Sequence, residues 1–164
     1  MIISDHSWFK MYSINQITEI LQTVKDPEIP TISLVDLGIV DEVKIENDKV
    51  IISLIPTFAG CPAIDYMKND VIAKLNENGI SIVEVKVQQN KSWSSERISE
   101  AGLEAIRKHG LASPIPFQKN EMKAVCPKCS SEQTTLMSPF GPTLCRAIFH
   151  CNSCKETFEQ FKFL

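Results

Sequence analysis

Pro56-Thr57-Phe58-Ala59-Gly60-Cys61-Pro62 stands where one structural period gives way to another. Before it, the run from Val50 to Ile55 alternates at the spacing of a β-strand. After it, Ile64, Met67, Val71, Ile72 and Leu75 form one apolar stripe at helical spacing. Pro62 fits a first helical turn, where a missing N–H leaves no bond unmade. Asn78-Gly79 ends the helix, and Ile80 to Val87 alternates again as a strand. Strand, helix and strand in that order predict a right-handed crossover and a parallel strand pair.

Working upstream, Val43 to Glu46 and Lys49 to Pro56 flank Asn47-Asp48, two residues that tolerate the left-handed conformation of a tight hairpin. Ile14, Ile17, Leu21 and Val24 predict a helix capped by Ser13 and ending at Lys25 or Asp26, because Pro27 disfavours helix in the residue before it. Gly38 permits a positive φ and a sharp entry into the first strand. Downstream, Ser95, Ile98, Ala101, Gly102, Ala105 and Ile106 predict a last helix ending at His109-Gly110. The fold class is therefore α+β: a small α-β-β-α-β-α domain with a mixed sheet, followed by a separate cysteine-rich tail. The boundaries are a leader over residues 1–12, with Trp8 and Phe9 read either as packing on the domain or as part of a disordered leader, a domain over 13–111, a stiff proline-bearing linker over 112–122 and the tail domain over 123–164.

The 164 residues carry a net charge of −3, with 43% hydrophobic and 23% charged residues, ordinary globular values. Residues 1–116 hold 11 Lys/Arg against 16 Asp/Glu, and residues 117–164 hold 6 against 4. Neither part is basic enough for nucleic acid on charge alone, and no aromatic–basic interleaving supplies a stacking platform. No apolar run reaches the roughly 18 residues of a membrane span, and the start lacks a secretory pattern. The expected compartment is the cytoplasm, with no membrane partner. Six cysteines there point to metal or thiol chemistry more than to disulfides.

Cys126-Pro127-Lys128-Cys129 and Cys151-Asn152-Ser153-Cys154 are two Cys-x-x-Cys pairs with 21 residues between them. Two residues between thiols let both sulfurs face one ion at about 2.3 Å, and two such turns complete a tetrahedron. The spacing predicts a structural zinc ribbon, with an iron–sulfur centre as the rival, and strands over Gln133 to Met137, Arg146 to His150 and Thr157 to Lys162. A tail this short and this poor in apolar residues needs the metal to fold. Cys145 is a further thiol, read either as a packed strand cysteine or as one activated by Arg146. His150 adjoins Cys151 but is not needed as a ligand. His6 and His109 have no metal-spaced partners and are expected in exposed or capping positions.

Cys61 is expected at a helix N-terminus, where the dipole and free N–H groups favour a thiolate. Thr57 would hydrogen-bond the turn or a ligand. Asp26, Glu28 and Asp36 offer oxygen ligands or a base, although Asp26 and Asp36 are equally placed to satisfy local backbone. On these residues alone, packing and chemistry both remain open for Cys61.

Asp26-Pro27-Glu28-x-Pro30, Asp36-Leu37-Gly38-Ile39-Val40, Thr57-x-x-x-Cys61-Pro62 and Trp93-Ser94 together resemble the metal–sulfur cluster assembly domain family, over roughly residues 14–110. With the ribbon, and Phe140-Gly141-Pro142-Thr143-x-Cys145 before its second pair, the chain is similar to one subgroup, the D components of the phenylacetyl-CoA epoxidase system. The resemblance implies an accessory role in aerobic phenylacetate degradation, assisting assembly or insertion of an iron–sulfur cluster. Cys61 would hold iron or a cluster transiently, with Thr57, Asp26 and Asp36 in support. The implied partners are the epoxidase subunits, foremost the reductase with flavin and an iron–sulfur cluster, and a second copy of the chain is another source of ligands. The alternatives are a scaffold with only a structural zinc and a thiol-dependent enzyme using Cys61.

Overall fold

A computed structural model describes residues 12–116 and 121–164. The readings on His6, Trp8 and Phe9 fall outside them. In chain order the elements are α1 (Ile14–Leu21), β1 (Val40–Glu46), β2 (Lys49–Leu54), α2 (Ile64–Glu77), β3 (Val83–Val87), a 3-10 turn (Ser95–Arg97), α3 (Glu100–Lys108), β4 (Thr134–Ser138), β5 (Arg146–Cys151) and β6 (Thr157–Phe161).

The first sheet has the order β1-β2-β3, with β1 antiparallel and β3 parallel to β2. Asn47 and Asp48 make the hairpin turn with φ of 48° and 62°, the left-handed pair that a two-residue loop requires. The parallel strand follows from the α2 crossover, as the strand–helix–strand pattern predicts. On α2 the residues four apart, Met67, Val71 and Leu75, are buried. They share a core with Ile17 and Leu21 of α1 and with Ile52 and Leu54 of β2. Trp93 is buried in the same core and its indole N–H donates to the Leu37 carbonyl at 3.0 Å.

Two helices differ from their sequence pattern. Ser13 caps α1 through a reciprocal bond pair with Gln16, but the helix ends at Leu21, not at Lys25 or Asp26. Leu34 donates to the Val24 carbonyl and Asp26 to that of Ile32, so the chain after α1 folds back on itself and Lys25 bridges Ser33. A long-range backbone bond here outweighs the local apolar spacing. The last helix is broken between Arg97 and Glu100, because Ile98 is extended and Ser99 caps α3 by accepting from the Gly102 N–H. Gly102 permits the close approach this needs: a Cβ there would stand 2.5 Å from the Asp36 carbonyl oxygen.

The second sheet is an antiparallel β4-β5-β6 ribbon. Its own core is small: Ala112, Ala124, Cys126, Ala147, Phe149, Cys151 and Phe158. Phe161 and Cys145 are not part of it; both are buried in the core of the first domain. Phe161 meets Trp93 edge-on, with ring centroids 5.8 Å apart. Ser95 bonds the segment after β6, its N–H donating to the Leu164 carbonyl at 3.0 Å and its hydroxyl to that of Lys162 at 3.1 Å. Ala112 pairs alongside Gln160, so the chain leaving α3 is already joined to the ribbon. Among the described residues no helix is long and apolar enough to cross a membrane.

Candidate functional site

The ribbon repeats one turn twice. Ser130 donates to the Cys126 carbonyl and Lys155 to that of Cys151, each closing a loop four residues after the pair's first cysteine. Ser130 and Lys155 both take the left-handed conformation, with φ of 59° and 66°. Both therefore sit where glycine is the usual choice. The hydroxyls of Ser131 and Ser153 meet at 2.8 Å and hold the two turns together.

The result is four sulfurs within 4.8 Å of one another, from Cys126, Cys129, Cys151 and Cys154. Cys126 Sγ lies 3.7 Å from Cys154 Sγ, and Cys129 Sγ lies 3.6 Å from Cys151 Sγ. A tetrahedron with metal–sulfur bonds of about 2.3 Å has edges of about 3.8 Å, so this donor set fits one ion. A multi-iron cluster would need its four sulfurs spread wider. Backbone N–H of Cys154, then that of Ser153, hold the Cys151 thiol down at about 6. The Ser131 N–H favours a thiolate at Cys129, but burial and the three neighbouring thiols push it up to about 12. One negative charge is easily housed; four require a cation.

Cys61 lies on the turn between β2 and α2, half-buried, with Thr57 four residues earlier on the bend that follows β2. The turn closes by Cys61 donating to the Phe58 carbonyl and Ile64 to that of Cys61, each at 3.3 Å. Gly60 has a φ of 78°. The helix begins at Ile64, so Pro62 precedes it instead of filling its first turn. The N–H groups of Ala63 and Ile64 do reach the thiol, yet its pKa is raised, not lowered. Burial is the main cause, and the Glu28 and Asp26 carboxylates add to it. The helix end is present, but burial, with the charges around it, outweighs it.

Asp26 is buried, and its Oδ1 accepts from the N–H of Glu28 at 2.9 Å and of Ile29 at 2.8 Å. Burial nevertheless holds its carboxyl above the usual range. Glu28 is largely exposed, and the remaining burial, then Asp26, raise it too. Asp36 is engaged elsewhere: its carboxylate accepts the hydroxyls of Ser33 and Ser99, each at 2.7 Å. Burial would raise Asp36, but hydrogen bonds from Ser33, Ser99 and Gln22 outweigh that and lower it. It joins the 33–36 loop to the start of α3.

Cys145 is buried, and its thiol lies 3.1 Å from the Thr143 hydroxyl. Burial raises its pKa, with Glu28 and Asp26 again contributing and Arg146 opposing. Arg146 donates to the Glu28 carbonyl at 2.8 Å and pairs with Glu159 at 2.9 Å. The two domains are thereby tied together beside Cys145. No local pattern marks that contact, whose ends are 118 residues apart in sequence. His109 is exposed and caps the end of α3, as expected.

The chain thus joins the architecture of an iron–sulfur cluster assembly protein to that of a four-cysteine ribbon. Residues 14–87 match the family model described as iron–sulfur cluster assembly protein, and residues 113–162 match the PaaD zinc beta ribbon domain. The putative D component of 1,2-phenylacetyl-CoA epoxidase from Escherichia coli K12 is 32% identical over 91% of this chain and 92% of its own length. The chain belongs to this PaaD family. An Fe-S protein maturation auxiliary factor from Porphyromonas gingivalis is 32% identical over 53% of this chain and 84% of its own. A domain of unknown function (DUF59) from Bacillus anthracis has a crystal structure that is similar at a TM-score of 0.52. It is 33% identical, over 56% of this chain and 89% of its own. A conserved hypothetical protein from Thermotoga maritima gives 0.51 at 25% identity, over 62% of this chain and 98% of its own.

Proposed function

We propose that this chain is an accessory maturation factor of a phenylacetyl-CoA epoxidase system, helping to assemble or insert an iron–sulfur cluster through Cys61. The observation that carries the reading is the division of thiols. Four are gathered around one tetrahedral point, while Cys61 lies outside that set, half-buried and beside two carboxylates. The similarity to a maturation auxiliary factor over the Cys61-bearing domain supports it. In this reading the ribbon holds a structural zinc, its four positions filled by protein and none left open for chemistry. Cys61 takes iron or a cluster as cargo. Clusters normally have four cysteine ligands, so one thiolate holds them incompletely and releases them readily. Thr57 and Asp26 support the site from the turn and the neighbouring loop, and Asp36 acts at a distance by joining the 33–36 loop to the start of α3.

The recipient is a subunit of the epoxidase system, foremost its iron–sulfur reductase. The test is Cys61→Ala in cells grown on phenylacetate, with iron and sulfide measured in the purified reductase. Cluster-depleted reductase alongside normal levels of the folded variant is the expected result. Fully loaded reductase would overturn the reading and favour a scaffold.

A further inference from the structure

The turn between β4 and β5 is tightly built, yet it leaves its largest side chains outside. The Ser138 hydroxyl donates to the Phe140 carbonyl at 2.7 Å and accepts from the Phe140 N–H at 3.2 Å. Gly141 donates to the Arg146 carbonyl at 2.9 Å, and Arg146 to that of Thr143 at 3.2 Å. The two limbs run close together: a Cβ on Gly141 would stand 3.2 Å from the Arg146 Cβ. Lys162, just after β6, closes the turn from the side. Its backbone N–H donates to the Cys145 carbonyl at 2.8 Å and its ammonium to the Pro139 carbonyl at 3.1 Å. The same ammonium stands 4.8 Å from the centre of the Phe140 ring.

Met137 is 64% exposed, Phe140 60% and Leu144 53%. Among the described residues nine large apolar side chains are exposed, and four of them, Leu136 included, fall between positions 136 and 144. Exposed apolar residues scattered singly need no explanation, but gathered on one turn they mark a contact surface. From Thr134 to Cys145 there is no charged residue, in a chain of which 23% is charged. A methionine and an aromatic ring without charge is the composition of an interface centre. The bracing matters as much, because a turn fixed before binding loses little freedom on binding.

We propose that the 136–144 turn docks this chain onto a subunit of the epoxidase system, Phe140 and Leu144 entering an apolar pocket of the partner while a carboxylate at its rim pairs with Lys162. This rests on the reading of the chain as a factor serving that system, and gives it a point of attachment separate from Cys61. Lys162 defines the partner's charge. In the ribbon Lys123, Lys128 and Arg146 each have a carboxylate of their own. Lys162, at the edge of the patch, has none among the described residues, and partial burial already holds its pKa down. A carboxylate brought by the partner offsets that burial, and the pair is stronger for being partly desolvated. The same lysine disfavours two other occupants. In a two-fold contact between copies the patch meets itself, setting one Lys162 against the other with no acid in the turn. An anionic bilayer would have to accept a chain of net charge −3.

The test uses the full chain with zinc in its ribbon, and as probes the separately purified reductase and oxygenase subunits of the epoxidase system. Binding is measured by titration calorimetry, with zinc content and melting temperature as controls. One of the subunits should bind the wild type. Phe140→Ser and Leu144→Ser should each weaken that binding about 30–100-fold. Lys162→Gln should weaken it about 3–10-fold and flatten its dependence on salt. All three variants should keep their zinc and melt with the wild type, and Met137→Ser serves in place of any that does not. Wild type and variants binding alike would overturn the docking turn, as would a wild type that binds none of the subunits. In either case the maturation reading is judged separately, by cluster content of the reductase in Cys61→Ala cells. Sedimentation of the chain alone and flotation with phosphatidylglycerol vesicles cover the other occupants. Self-association or vesicle binding that Phe140→Ser abolishes would overturn the proposal in favour of a second copy or a membrane.

Discussion

The ribbon centre and the surroundings of Cys61 both hold thiol chemistry, and they treat negative charge in opposite ways. At the ribbon, repeated tight turns aim backbone N–H groups at Cys151, and four sulfurs stand ready at the edges of a tetrahedron. Around Cys61 the N–H groups of Ala63 and Ile64 are present, but burial and two carboxylates overrule them. The first arrangement is finished without a partner and retains what it binds. The second is incomplete and unfavourable to a lone thiolate, so it gains only while a cation is present. In the proposed reading, retention at one centre and release at the other follow from that difference.

The largest expected effect is at the ribbon. Among the described residues the second core contains only seven buried ones, so a bound metal would be a main source of its stability. Chelation, or Cys126→Ser, should unfold the ribbon, seen as loss of its strand signals by NMR. Because Phe161 and Cys145 fill the first core, that domain should also melt earlier. A ribbon that keeps its strands without metal would erase the contrast between the two centres.

Next is Arg146→Ala, which removes a partly buried ion pair and the bond to the Glu28 carbonyl. A loss of about 2 kcal/mol in denaturant titration is expected, below the full figure for a buried pair because Glu159 is partly exposed. Smaller still is Cys61→Ala, expected to change stability by no more than about 1 kcal/mol, since the residue is half-buried and small. A large loss there would make Cys61 a packing residue.

The finest test is pH. Only a thiolate is alkylated rapidly, and the Cys61 thiol is raised, so iodoacetamide labelling of Cys61 should reach half its limiting rate at a higher pH than for a free cysteine. Glu28→Gln removes one negative neighbour and should move that midpoint down. The movement is partial, because burial is the larger cause. A midpoint below that of free cysteine would mean that the helix end dominates after all.

Much of this was legible from local pattern. Two Cys-x-x-Cys pairs specify their own geometry because each pair needs only a four-residue turn. Asn47-Asp48 specifies a hairpin because few residue pairs tolerate two positive φ values. The parallel strand followed from a crossover rule. What escaped was set by distance along the chain. The end of α1 depends on Val24 and Leu34 meeting, and the break before α3 on Ser99 donating its N–H to the Asp36 carbonyl. The raised thiol at Cys61 depends on burial in the folded domain, and then on carboxylates more than thirty residues away in sequence. Likewise, Cys145 was visible as an extra thiol, but its place in the other domain's core depends on Arg146 reaching Glu28, which no local spacing encodes.

The central claim, that Cys61 hands on what it binds, is tested most directly by transfer. Full-length chain, zinc in its ribbon, is loaded with iron and sulfide without oxygen and mixed with cluster-free reductase. Cluster formation is followed by absorbance and circular dichroism. The wild-type chain should load the reductase faster than equal amounts of free iron and sulfide, and Cys61→Ala should give only the free-reagent rate. Equal rates from the wild type and Cys61→Ala would contradict the account.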